Sequence, residues 1–225
     1  MPLVSRELAN RLFTPEHRRE EITRAQEAVL DPEKLDSRQL IEAWAVIGEC
    51  HKFNRESQLS KEAYLKAIEV IRTLDDKMLL GRGYEALGNA LFFCNDYEQA
   101  ISYYRQAAEI FEDLSETEQL VTMLSQIAYA YAEIGQRNEE RRYLNIAALQ
   151  ATAQPVVKAT LLERIALSLG ASGEYEEAIR VYEQALSILE SEGFKRDWQK
   201  RLQVLAQLYS AVGDEASARR IMEQL

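Results

Sequence analysis

Residues 84–107 decide the fold. Tyr84-Glu85-Ala86-Leu87-Gly88-Asn89-Ala90-Leu91 is followed by Asn95-Asp96-Tyr97-Glu98-Gln99-Ala100 and then by Tyr104-Arg105-Gln106-Ala107. Apolar and small residues three and four apart place one stripe along a helix, first over 84–91 and again over 100–107. The same skeleton stands upstream as Trp44-x-x-Ile47-Gly48 with Tyr64-x-x-Ala67. Downstream it stands as Leu124-x-x-Ile127-Ala128 with Leu144-x-x-Ala147, Leu162-x-x-Ile165-Ala166 with Tyr182-x-x-Ala185, and Leu202-x-x-Leu205-Ala206 with Ala218-x-x-x-Met222. The small residue of each copy falls at 48, 88, 128, 166 and 206, so the intervals are 40, 40, 38 and 40. A fixed period of this size marks a stack of helix pairs, each burying its stripe against the next.

Glycine inside a helix costs about 1 kcal/mol relative to alanine, so Gly48 and Gly88 need a compensating contact. Close approach of a neighbouring helix backbone is the expected one, with alanine as the next smallest choice. Asn95-Asp96, Gly135-Gln136, Gly173-Glu174 and Gly213-Asp214 punctuate the two helices of successive copies. The glycine suits the end of the first helix, and an acidic residue suits the start of the second. Asp96-x-x-Gln99 and Ser115-x-x-Glu118 read as capping boxes. Thr14-Pro15, Asp31-Pro32 and Gln154-Pro155 put proline where a helix starts. Helices are expected near 16–29, 37–53, 58–74, 76–93, 96–114, 116–134, 138–150, 155–170, 174–191, 197–212 and 214–224, with no strand.

With 225 residues and 47% apolar content, the chain has material for a real core and is expected to form one array rather than several domains. Lys plus Arg is 27 against 37 Asp plus Glu, a net charge of −10, which disfavours nucleic acid and anionic membrane as partners. Two cysteines suggest a reducing compartment. The first residues carry no secretory apolar region, and apolar runs such as Ala90 to Cys94 are far short of the roughly 20 residues of a membrane span. A cytoplasmic protein is expected.

Tyr84, Leu87, Gly88, Leu91, Ala100, Tyr104 and Ala107 resemble the tetratricopeptide repeat, a pair of antiparallel helices. The longer period is similar to the repeats of kinesin light chains, Leu-Gly-Asn polarity adaptors and bacterial peptide-sensing phosphatases. The resemblance covers residues 37–225 as five copies in one solenoid domain. Residues 1–36 are read as an N-terminal helix or incomplete copy. Glu140 and Ser60 depart from the pattern, standing where a packing alanine belongs. The implied fold class is all-α, a right-handed α-solenoid of tandem helix-turn-helix repeats. The implied function is a non-enzymatic scaffold or adaptor that binds a peptide or partner protein in its concave groove. The alternative is a peptide-sensing regulatory domain of a signalling system.

In the resembled family the first helix of each pair lines the groove, which nominates residues beside the core skeleton. They are Glu42, Ala45, Glu49 and Phe53 in the first copy, then Arg82, Glu85, Asn89, Phe92 and Phe93. Further on come Thr122, Ser125, Gln126, Tyr129 and Glu133, then Glu163, Arg164 and Leu167, then Lys200, Gln203 and Gln207. Asn89 resembles the family's groove asparagine; an amide both donates and accepts, which suits a peptide unit. It reads equally as a solvated polar residue. Phe92 and Phe93 point about 100° apart on a helix, so one packs inward while the other faces groove or neighbour. Arg164 and Lys200 suit acidic ligand groups, although Arg164 also has acids nearby to balance. Glu85 stands where the carboxylate clamp of heat-shock co-chaperones needs lysine, which favours a mixed-charge or basic ligand. Ile221, Met222 and Leu225 suggest an apolar C-terminal edge that self-associates or continues into a longer protein.

No catalytic, cofactor-binding or metal-binding residue is nominated. His17 and His51 are far apart, and Cys50, His51 and Cys94 lack the spacing of a zinc site. Cys50 and Cys94 read as small buried hydrophobes.

Overall fold

The computed structural model describes residues 3–223 and shows helices but no strand among them. The helices are α1 (Arg6–Arg11), α2 (Pro15–Val29), α3 (Ser37–Phe53), α4 (Ser57–Arg72), α5 (Lys77–Phe93) and α6 (Tyr97–Asp113). They continue as α7 (Thr117–Glu133), α8 (Arg137–Gln150), α9 (Pro155–Ala171), α10 (Tyr175–Ser191), α11 (Trp198–Ala211) and α12 (Glu215–Met222). Eleven match the expected spans within about two residues. The twelfth, α1, escapes the sequence reading because its six residues are too short to show a period. Ser5 caps it by accepting from the Leu8 N–H, and Leu12 just beyond it is fully buried. Pro32 starts only a single 3-10 turn, while Pro15 and Pro155 do open helices.

The chain divides into two compact units, Met1–Ile134 and Gly135–Leu225, so the boundary falls between the two helices of the third copy. In the first unit α2 packs on α3, α3 on α4, α4 on α5, α5 on α6 and α6 on α7, and α3 also touches α5. In the second, α8 packs on α9, α9 on α10, α10 on α11 and α11 on α12.

The compensation for the helical glycines differs from the expected one. A Cβ on Gly48 would lie 2.7 Å from the Tyr64 ring, and one on Gly88 2.6 Å from the Tyr104 ring. A tyrosine side chain from the second helix, not a backbone, fills the space. Both tyrosines are 1% exposed, and burying a ring of that size outweighs the helix penalty of glycine.

Several of the turns share one geometry. Gly173 and Gly213 have positive φ, and the next residue's N–H returns to a carbonyl five positions back, Glu174 to Leu169 and Asp214 to Tyr209. This closes the end of the first helix. Asn95 and Arg55 take the same left-handed position, with Asp96 bonding Leu91 and Glu56 bonding His51. Ser115 does so at the end of α6, with φ +59°, so it terminates a helix and does not open the expected capping box. Asp96 makes no backbone cap either; it accepts from the Gln99 side chain at 2.5 Å. The reciprocal box that does form is Asp36 with Gln39, at 2.8 and 3.0 Å.

Ser60 and Glu140, which looked like defects in the pattern, are polar bridges. Ser60 is fully buried and its hydroxyl donates to the Gly48 carbonyl at 2.8 Å. Glu140 is 4% exposed and meets Arg137 at 2.9 Å, the Ser168 hydroxyl at 3.0 Å and Arg164 at 3.6 Å. A buried carboxylate is tolerable only with such partners.

Candidate functional site

The position after each small residue carries Glu49, Asn89, Tyr129, Leu167 and Gln207 in turn. The 3.6-residue helix turns this position about 100° from the small residue, and in the first two copies it meets the hydroxyl of the tyrosine whose ring covers that residue. In the first unit, Asn89 is exposed, and its Oδ1 accepts from the Tyr104 hydroxyl at 2.8 Å. That bond fixes the amide with its NH2 group left to donate outward. Tyr104 is itself buried, and the loss of water pushes its phenol well above the usual tyrosine range, so it stays a donor. Glu49 occupies the same register one copy earlier but is mostly covered. It accepts from the Tyr64 hydroxyl and pairs with Lys52. Tyr129, 43% exposed, holds the next position, with Gln126 half-buried and Glu133 exposed on the same helix.

Arg82 lies two turns before Asn89 on one face of α5. Its guanidinium donates to Glu85 at 2.9 Å and stands over the Phe111 ring at 5.6 Å. Glu85 therefore carries its own counter-charge. Phe92 packs edge-on to Tyr97 at 5.2 Å. Phe93 meets Phe53 at 5.6 Å and sits under Arg55, which donates to the Phe93 carbonyl. Both rings thus pack against neighbours. Ala45, expected beside the groove, is fully buried, because it lies on the side of α3 that faces its neighbours.

A cavity of about 630 Å³ opens beside Arg82. Ile41, Leu79 and Met78 line it from α3 and α5, Leu3 from the N-terminal segment, and Arg6 and Arg38 contribute charge. Glu42, a groove candidate, lines it too. Sequence reasoning missed this place because residues 3–6 and 74–82 meet only through the fold, and no local period links them.

The second unit holds the remaining candidates. Arg164 turns to Glu140, and burial lowers its pKa to about 10. Leu167 is 49% exposed. Lys200 and Gln203 are exposed, with Lys200 paired to Asp197 at 3.2 Å. The neighbour Glu163 is taken by Arg201, at 2.5 and 3.2 Å.

The reactive residue types are engaged structurally. Cys50 is fully buried, its thiol donates toward the Arg18 carbonyl, and burial pushes its pKa up to about 12. Cys94 is half-buried and also raised by burial. His51 shares a 2.6 Å contact with Glu56 across the α3–α4 turn, and His17 one of 2.5 Å with Thr14. Among the described residues no group of three His, Cys, Asp or Glu side chains is placed to hold a metal ion, and no helix is long and apolar enough to cross a membrane.

Comparison with known proteins agrees with this repeat geometry. Tetratricopeptide repeat family models match residues 41–73 and 81–114, and a second such model matches 160–196. No curated protein sequence matches significantly. Among solved structures, BtubC (BKLC) from P. vanneervenii is similar over 98% of this chain and 90% of its own, with TM-score 0.69 and 17% identity. Aspartyl phosphate phosphatase F from Bacillus subtilis is similar over 88% of this chain and 54% of its own, with TM-score 0.69 and 17% identity. The Rap conjugation gene regulator of plasmid pLS20, solved with a Phr peptide, covers 84% of this chain and 53% of its own, with TM-score 0.54 and 13% identity. At these identities the likeness is one of fold, an all-α solenoid of tandem helix pairs. The recurring small residue, the tyrosine that covers it in the first two copies and the matched segments lead to one assignment: residues 41–73, 81–114 and 160–196 are tetratricopeptide repeats.

Proposed function

We propose that the chain is a non-enzymatic cytoplasmic scaffold that binds an extended peptide, or such a segment of a partner protein, along the first helices of its repeats. The observation that carries this reading is Asn89. Its carbonyl is occupied by the buried Tyr104 hydroxyl, so its amide is oriented before any ligand arrives and presents donors to a peptide carbonyl. Tyr129 offers an exposed aromatic surface in the same register of α7. Nucleic acid and membrane are not the expected partners of a chain with net charge −10.

The test is selection of peptides from a random display library on the intact chain, followed by calorimetric titration. Asn89→Ala should keep the helical circular dichroism and weaken the selected peptides by about 0.5–1.5 kcal/mol. Peptides that bind Asn89→Ala as tightly as the parent would place the site elsewhere. A second reading, a peptide-sensing regulatory domain, draws on the fold likeness to a regulator solved with a peptide. It requires a change of hydrodynamic radius on binding, which a rigid scaffold would not show.

A further inference from the structure

Charge is unevenly laid along the first helices of the first unit. In a chain with 28% charged residues, Gln119 to Ala132 of α7 carry none, and neither do Ala86 to Phe93 of α5. Along α4, by contrast, charges recur as Lys61, Glu62, Lys66 and Glu69. Burial accounts for only part of the gap. Asn89, Thr122 and Tyr129 are exposed, and Ser125 and Gln126 are half-buried. Water-facing positions of a helix ordinarily include charged side chains, and these include none. The charges that border the band on α5 are closed on each other, Arg82 donating to Glu85 at 2.9 Å. With its amide oriented to suit its neighbours, Gln119 accepts from Arg82 at 3.3 Å, which ties the start of α7 to α5, and donates to Glu116 at 3.1 Å. Lys52 and Arg55 lie over Phe93 at one end, and the exposed Glu133, one turn beyond Tyr129, stands at the other.

The polar groups inside the band are sorted by role. The Asn89 carbonyl is taken by the Tyr104 hydroxyl, so its NH2 group is the part that donates. The hydroxyls of Thr122 and Ser125 donate to their own helix, at 2.9 Å to the Glu118 carbonyl and 2.7 Å to the Val121 carbonyl, so their oxygens are left to accept. We propose that this band takes an uncharged extended segment of a partner protein, whose carbonyls accept from Asn89 and whose N–H groups donate to Thr122 and Ser125. The proposal rests on the peptide-binding reading above and names the ligand chemistry for it. A backbone supplies both kinds of group and carries no charge. An Asp, Glu, Lys or Arg laid against the band would lose water and find no counter-charge, because the bordering pair is already satisfied. The mixed-charge or basic ligand expected from Glu85 gives way for the same reason: Arg82 holds that carboxylate.

The experiment is display selection on the intact chain from three peptide libraries of equal size. One lacks Asp, Glu, Lys and Arg, one is enriched in Asp and Glu, and one is enriched in Lys and Arg. The tightest peptides should come from the uncharged library and lose affinity in Asn89→Ala. Their affinity should change by less than about twofold between low and high salt, where ionic contacts are screened. Thr122 separates exclusion of charge from attraction to it. Thr122→Glu and Thr122→Lys should each weaken the best uncharged peptide at least about fivefold, since either charge is desolvated without a partner, whereas Thr122→Ser should keep it within about twofold. Thr122 is exposed, and an unchanged melting temperature would confirm that the variants fold. Selected peptides that carry charge, a strong salt dependence, or tighter binding by either charged variant would overturn the proposal. In those cases the groove reading would stand, provided the peptides still respond to Asn89→Ala. Failure of all three libraries to yield a peptide that depends on Asn89 would overturn both. A dimer of the free chain that Thr122→Lys dissolves would assign the band to a second copy instead.

Discussion

The first and second copies carry the same scaffold and use it differently. Gly48 lies under Tyr64 as Gly88 lies under Tyr104, forty residues on, and the two tyrosines are equally buried. Yet Tyr64 donates to a carboxylate, Glu49, which Lys52 also holds, whereas Tyr104 donates to an amide, Asn89, which is exposed. The buried pair of ring and glycine is a fixed part. The residue one step along the helix is the variable part, and its chemistry decides whether the position is closed on itself or open to a ligand.

This comparison breaks most sharply at the rings. Tyr64→Ala and Tyr104→Ala should each cost about 3–5 kcal/mol in denaturant unfolding, and by similar amounts, since both empty the same space. A large difference would mean that the two copies are not equivalent in packing. Gly88→Leu should cost about 1–3 kcal/mol by overpacking the Tyr104 ring, and Gly48→Leu should behave alike; unchanged melting would show the repeat register to be wrong. Removing only the hydroxyl separates the copies. Tyr64→Phe should cost about 1.5–3 kcal/mol, because its partner is charged, against about 0.5–1.5 for Tyr104→Phe. Equal losses would show that Glu49 and Asn89 do not differ as partners.

The two cysteines extend the comparison to kinetics and pH. Cys94 should react with a thiol reagent faster than Cys50 in the native chain, and both should react at one rate once unfolded. With its pKa held up to about 12, folded Cys50 keeps a proton that the unfolded thiol loses at lower pH. The native state then binds more protons, so stability should fall as pH rises from the ordinary thiol range toward 12. A flat unfolding free energy across that window would contradict the burial of Cys50.

Much of this molecule is legible in one dimension because its contacts are local. The period of the small residues and the left-handed glycines after the first helices locate eleven helices. What escaped depends on partners. Ser115 has a capping residue's chemistry but sits at a left-handed helix end, and only backbone geometry distinguishes the two. Arg55 takes a turn position that favours glycine or asparagine, so its type gave no signal. Arg164 looked like a ligand-facing cation until Glu140, in the preceding helix, claimed it. The Asn89 position followed from the repeat register, whereas its orientation needed Tyr104, fifteen residues away. The cavity joins Leu3 to Met78, a distance in sequence that no repeat spans.

The buried Glu140 has a consequence for how such a chain can evolve. The second copy, built on Gly88 and Tyr104, meets its neighbours through part-buried and exposed polar contacts, as from Arg55 to the Phe93 carbonyl and from Ser57 to Asp96, and could be duplicated more readily. The third copy cannot, because its glutamate is matched to Arg164 and Ser168 in the helix that follows. Splicing another unit after α8 would leave the buried Glu140 with Arg137 alone, so this joint of the modular protein is matched to its successor.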